Sequence, residues 1–260
     1  MSLTYSSYLR LEELLGCQRP KSEGPEHDEM LFIVIHQVYE LWFKELLHEL
    51  DHLRSRLDAD DLPASLATLK RILTILKVQV AQIDILETMS PISFLSFRSR
   101  LEAASGFQSP QFRELEILLG HRLPAMLHHH EGTPAHSRLE RRLDEPSLWD
   151  AAVGHLARAA GFELPAALAA RDRRASNPET PELHAPLIEI YRARPELAQL
   201  CERLVDLDEG LQEWRYRHVK MVERTIGSKP GTGGSPGAEY LRRTLFQPLF
   251  PDLWAIRAEL

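Results

Sequence analysis

The sequence predicts an all-α fold, and three observations carry that prediction. Apolar residues recur three and four positions apart through most of the 260 residues. No segment alternates apolar and polar residues between hairpin turns, as strands would. Ser, Asp and Pro stand where the periodic segments begin, and Gly stands where several end.

In chain order, the first strong segment follows the loop PKSEGPEH and starts near Asp28, a residue type that caps helices. It carries Leu31, Val34, Ile35, Val38, Leu41, Trp42, Leu46, Leu50, Leu53 and Leu57. At ~1.5 Å per residue it would run about 45 Å. A second helix is expected from about Pro63 to Thr88 through Leu66, Leu69, Ile72, Leu73, Leu76, Val80, Ile83 and Leu86. Ser90 caps a shorter one with Pro91 at its first position, and QSPQFRELEILLGH gives another that Gly120 ends. Between about His121 and Pro186 the periodicity weakens. LPAMLHHHEGTPAHS and RDRRASNPETPELHAP read as polar loops flanking Ala-rich helices from roughly Pro146 to Arg174. A last long helix spans about Pro195 to Thr225, followed by the loop GSKPGTGGSPG and two short helices. One domain over 1–260 is expected, with 121–186 as a helical insertion.

Composition narrows the function. Hydrophobic residues make up 43% and charged residues 27%, in the range of soluble globular chains. A net charge of −7 argues against a nucleic-acid or anionic-membrane surface. Cys17 and Cys201 form neither C-x-x-C nor C-x-x-C-H, so a thiolate zinc site and covalent haem attachment are unsupported. MSLTYSSYLRLEELLG has no basic segment before an apolar run, so no signal peptide is read. No stretch approaches the roughly 18 apolar residues of a membrane span, and a soluble, cytoplasmic protein is expected.

Four motifs bear on chemistry. HELDH, His48 to His52, has the H-E-x-x-H spacing of zinc peptidases. The glycine that the extended pattern asks for is replaced by Ser55, the helix continues, and no strand is available to hold a peptide. A solvated helix flank is the better reading, and His128-His129-His130 reads as a loop. The second motif is FIVIH, where His36 sits among Phe32, Ile33, Val34 and Ile35. Phe32 stands one turn before the imidazole, so an aromatic plate and a hydrogen-bonding ring would suit a flat ligand with one N–H. A structural core histidine is the plainer alternative.

The third motif, SFLSFRSRLEAASG, places Arg98 on an apolar helix face with Phe94 and Phe97. A guanidinium there matches a ligand carboxylate, or pairs with one of the protein's own acids. Ser105 and Gly106 end that helix and let backbone approach a ligand. The fourth, WRYRHVKMVERTIGSKPGTGGSPG, holds His218 with Trp214 and Val222 one turn to either side. Such a histidine suits an axial haem ligand or a buried structural role. The following glycines are neither a Walker loop nor G-x-G-x-x-G, since Pro236 takes the third glycine position. They form a loop able to fold closely over a ligand, with the Thr232 hydroxyl on it.

In order and spacing, TYSSYLRLEELL, HDEMLFIVIHQVYELWFKELLHEL, FRSRLEAASGFQSPQFRELE and WRYRHVKMVERTIGSKPGTGGSPGAEYLRR resemble the tryptophan 2,3-dioxygenase family from about Thr4 to Leu260. The resemblance implies a haem enzyme that opens the indole ring of L-tryptophan with O₂ to give N-formylkynurenine. One non-covalent haem b per subunit, ferrous when active, would be ligated through its iron by His218. His36 would be the distal residue meeting the indole N–H, with Phe32 and Phe94 walling the indole. Arg98 would take the carboxylate, and Thr232 the amino-acid end as its loop closes. Ser105 and Gly106 would lie close to the haem. Tyr5, Tyr8 and Leu9, within the 1–18 element, would come from a neighbouring subunit of a homotetramer. Ile83 stands where some relatives carry an aromatic. Two alternatives remain within reach of the same residues: a monooxygenase acting on a substituted tryptophan, and a haem or tryptophan sensor without turnover.

Overall fold

The computed structural model describes residues 2–102, 104–232 and 237–260, and all regular secondary structure among them is helical. Two short helices, α1 (Tyr5–Leu9) and α2 (Leu11–Leu15), open the chain and bury none of their residues. The Thr4 side chain caps α1 reciprocally with Ser7.

Three long helices follow from the apolar spacing: α3 (His27–Asp58), α4 (Leu62–Leu86) and, later in the chain, Pro195–Ile226. The start of α3 corrects the sequence reading. Its N-cap is Glu26, with no side-chain cap bond, and Asp28 and Glu29 lie in the first turn. There the carboxylates still complement the helix dipole. α4 begins at Leu62 rather than Pro63, because the Asp61 side chain accepts from the Ala64 N–H. Next come α5 (Pro91–Arg98), capped by Ser90, and α6 (Pro110–Leu119), capped by Ser109.

Between 121 and 186 the sequence reading needs two corrections. PAHSRLERRLD is a helix, α7 (Pro134–Asp144), although it reads as polar. Its apolar stripe is only Leu139 and Leu143, both fully buried in a satellite cluster with Ile117 and Leu127. The three histidines lie in a 3₁₀ helix, Pro124–His130, with His130 buried rather than in a polar loop. Then come α8 (Leu148–Ala160), α9 (Ala166–Ala170), α10 (His184–Ala193), the long α11 (Pro195–Ile226), α12 (Ala238–Arg242) and α13 (Pro251–Ala255). α8 packs against α3, and its Leu148, Trp149, Val153 and Leu156 belong to the same buried cluster as α3, α4 and α11. Trp149 donates its Nε1–H to the buried Asp252 just inside α13. No helix among the described residues is long and apolar enough to cross a membrane.

Gly120 joins these parts. Its φ of +95° is the left-handed conformation that closes α6. Its carbonyl accepts from the Asn177 N–H at 2.9 Å, while the Asn177 amide donates to the Leu249 carbonyl at 3.0 Å. A Cβ at position 120 would stand 1.9 Å from Asn177 Nδ2. Gly120→Ala is therefore expected to lose about 1–3 kcal/mol of stability. Urea unfolding checks this, and an unchanged midpoint would mean the contact yields without cost.

Candidate functional site

α3, α5, α6 and α11 frame a cavity of about 270 Å³, at the lower edge of the roughly 300–1,000 Å³ typical of small-molecule sites. Helical periodicity places Phe32, His36, Tyr39, Glu40 and Phe43 of α3 on its wall. His36 Nδ1 lies 2.7 Å from the Phe32 carbonyl. With the proton assigned to Nδ1, this nitrogen donates and Nε2 keeps a free lone pair. The Phe32 ring centroid is 4.1 Å from that of His36. Burial pushes the His36 pKa below its ordinary value, against the Phe32 bond and the Glu40 charge. Tyr39 is committed to structure: its hydroxyl donates to the Gln79 carbonyl at 2.7 Å, and burial pushes its pKa up to about 12.

The other FIVIH residues do not belong to this wall. Ile33, Val34 and Ile35 fall between Phe32 and His36 and turn away from the cavity at ~100° per residue. Ile35 enters the core, and Val34 is 38% exposed on the outer face. On α5, Phe94 lines the cavity with its ring 5.7 Å from Phe32, and Arg98 follows one turn later. Phe97, expected on the same face, is fully buried in the core instead. Arg98 is half-buried and has no acidic partner among the described residues. It donates to the Pro230 carbonyl at 2.5 Å. Thr232 Oγ1 donates to the Ala104 carbonyl, so the segment after α11 is tied to the segment after α5. Ser105 and Gly106 lie beside this tie on the cavity wall. Pro236 and the glycines at 233 and 234 lie outside the described residues.

α11 brings Trp214, His218 and Val222 to the wall one turn apart. The His218 imidazole lies parallel to the Trp214 ring, 5.1 Å between centroids and 6° between planes. No hydrogen bond of the His218 ring is found among the described residues. Burial, and then the nearby His36, pull its pKa down to about 4. Both imidazoles are thus neutral near pH 7, the form that accepts a proton donor or coordinates a metal. The described residues hold no cluster of three His, Cys, Asp or Glu able to cage a bare ion. The neutral His218 nitrogen could donate to the metal of a cofactor.

HELDH is not part of this site. His48 and His52 are exposed, whereas Glu49, expected on the same solvated flank, is buried and bonded to Arg71 at 2.7 Å. Tyr5, Tyr8 and Leu9 are 77%, 70% and 41% exposed on α1 and do not line their own protomer's cavity.

Sequence reasoning missed the charged wall. Arg113 and Arg215, both buried, share the buried Glu116: Arg215 donates to Oε1 at 2.8 Å and Arg113 to Oε2. Two guanidinium charges on one carboxylate leave an excess of about one positive charge beside the cavity. The i, i+3 spacing of Arg113 and Glu116 could have flagged the first pair. Arg215 is distant in sequence, and nothing local announces it. Trp214 was named beside His218, but its aromatic neighbours Phe43 and Phe112 went unread for the same reason.

A helical chain that encloses a mostly apolar cavity, with two neutral imidazoles on its wall and a guanidinium at its edge, defines a class of all-α small-molecule-binding protein whose site can take a flat apolar group and an anion. Within that class the chain belongs to the tryptophan 2,3-dioxygenase family, whose pattern matches residues 1–166 and 166–260. It is 58% identical to the tryptophan 2,3-dioxygenase of Herpetosiphon aurantiacus, over 100% of this chain and 99% of the relative. It is 58% identical to that of Anaeromyxobacter sp. strain K, over 100% and 97%. Identity to the Pseudomonas fluorescens enzyme of the same name is 44%, over 100% and 92%.

Glu116→Ala would leave two buried guanidinium groups without a counter-charge, and a loss of roughly 3–5 kcal/mol is expected. Chemical denaturation reads it, and a loss below about 1 kcal/mol would show that solvent already screens the triad.

Proposed function

We propose that the chain is a haem-dependent tryptophan 2,3-dioxygenase, which cleaves the C2–C3 bond of the indole of L-tryptophan. In the overall balance one O₂ is consumed and both of its atoms enter N-formylkynurenine. The observation that carries this reading is the His218 imidazole, neutral and uncommitted in a carbon-lined wall.

The residues present fit a haem. His218 can donate a nitrogen to iron, and Ile83, Leu86, Met89, Val219 and Val222 offer apolar surface to a porphyrin face. Ser105 and Gly106 contribute small residues where a close approach is required. The positive excess of Arg113 and Arg215 suits the carboxylate side chains of the cofactor. When bound, the haem supplies the activation of O₂.

The chain supplies position and dryness. Phe32 and Phe94 flank the indole, and His36 Nε2 accepts its N–H. The depressed proton affinity of His36 makes it a poor base for so weak an acid, so it orients the ring rather than deprotonating it. Arg98 exchanges the Pro230 carbonyl for the substrate carboxylate, which returns a charge-assisted, two-pronged pair for a neutral contact. Thr232 then serves the ammonium and carboxylate end. Leu3, Tyr5, Tyr8 and Leu15, all at least 70% exposed, leave apolar surface uncovered on the isolated protomer. A neighbouring copy in a homotetramer would cover it and add Tyr5, Tyr8 and Leu9 to the adjoining pocket.

Mass spectrometry of products from reduced, haem-loaded protein with L-tryptophan under ¹⁸O₂ tests the reaction. Two labelled atoms per product are expected; one would make the enzyme a monooxygenase, and unchanged substrate would make it a binding protein. Arg98→Ala is expected to raise KM for tryptophan by an equivalent of about 2–5 kcal/mol, and an unchanged KM would confine Arg98 to its bond with the 230 carbonyl. His218→Ala should lose the Soret band of bound haem, while His36→Ala should keep it and lower kcat. The opposite pattern would exchange the two histidines.

A further inference from the structure

Behind the site lies a second, smaller void of about 30 Å³, more than the roughly 10–15 Å³ needed to lodge one water. Leu46 and Leu50 of α3, Ile72 and Leu76 of α4, and Leu207 and Leu211 of α11 surround it, each at most 7% exposed. The surface facing it is almost entirely carbon. It shares Phe43, Phe112, Trp214 and the ion-paired Glu116 with the larger cavity, so three rings and one carboxylate partition the two spaces. The ring centroids stand 5.4 Å (Phe43–Phe112), 5.0 Å (Phe112–Trp214) and 6.4 Å (Phe43–Trp214) apart.

We propose that this void is a binding site for an apolar diatomic gas, dioxygen in the working enzyme, held one aromatic layer behind the reaction cavity. The identity of the gas rests on the dioxygenase reading; the existence of the site does not.

The chemistry of the lining selects the occupant. A buried water requires about 2–4 polar partners. Both Glu116 oxygens are engaged by Arg113 and Arg215, and the Trp214 indole N–H is turned to the Tyr39 hydroxyl, which leaves the Gln79 amide as the one uncommitted polar group of the lining among the described residues. Apolar cavities of this kind stay dry and accept xenon or small apolar molecules. An empty void forfeits the dispersion contacts of its lining atoms, and a diatomic gas restores part of them without needing a hydrogen bond. Nor does a gas break one when it slips between Phe43, Phe112 and Trp214, whereas tryptophan and water are both excluded, by size and by polarity. The arrangement lets substrate occupy the larger cavity while the co-substrate reaches it from behind.

Crystals of the holoenzyme pressurised with xenon test the site directly. Xenon density within the Leu50, Leu76 and Leu211 lining is expected. Its absence there, or an ordered water bridging Gln79 Nε2 and Trp214 Nε1, would overturn the proposal. Leu211→Phe, which fills the void from α11, should remove the xenon and slow O₂ association with the reduced holoenzyme several-fold. Its tryptophan Kd and Soret maximum should not move, which separates this effect from damage to the main cavity. Unaltered O₂ association in a variant that has lost xenon would overturn the role for dioxygen. Xenon uptake in a protein that oxidises no tryptophan would uphold the gas site while refuting the dioxygenase reading.

Discussion

The site depends on keeping the imidazole of His218 neutral and without a partner inside a wall of carbon. Taking an imidazolium out of water costs far more than taking out the neutral ring, and the pKa of about 4 expresses that cost. A polar neighbour would engage the lone pair, and an open channel would hydrate it. α11 avoids both by presenting Trp214 and Val222 on the same face and stacking the indole parallel to the imidazole. Rigid support of this kind belongs on a long packed helix rather than on a loop. α11 is such a helix, packed against α4.

Charge, by contrast, is concentrated where it can be answered. Glu116 takes two arginines, Asp208 accepts from the Leu249 and Phe250 amides and from the Trp254 indole, and Asp252 accepts from Thr180 and Trp149. Arg122 donates to the carbonyls of Ile117, Leu143 and Glu145. These buried polar hubs tie α6, α7, the segment before α10 and the C-terminal helices to the core. The lining of the cavity is thereby fixed by segments far apart in sequence, and a fault in the 121–186 region would be felt at Phe112, Arg113 and Glu116.

What could be read from the sequence follows from how local each signal is. The long helices were legible because their apolar stripes repeat over many turns, and α5 and α6 because Ser and Pro mark their starts. α7 was not, since a charged helix that buries only two leucines has too little periodicity to stand out. His36, Phe32, Phe94, Arg98 and His218 were singled out by their chemistry within short motifs, and the structure brings them to one cavity. Ile33, Val34 and Ile35 were expected at the substrate site with Phe32 and His36 because they adjoin them in FIVIH, and the helix turns them aside. Glu49 was assigned to a solvated face because its partner, Arg71, sits on the next helix, where linear spacing carries no information. Arg215 and the smaller void escaped for the same reason: packing between helices creates them, and no short motif encodes packing.

The central claim is that His218 alone anchors the iron while His36 leaves the opposite face free. Resonance Raman spectroscopy of the ferrous, substrate-free holoprotein addresses it most directly. A five-coordinate, high-spin haem with an iron–histidine stretch is expected, lost in His218→Gly and restored by added imidazole. A six-coordinate, low-spin spectrum from the unsubstituted protein, with both imidazoles bound, would contradict it.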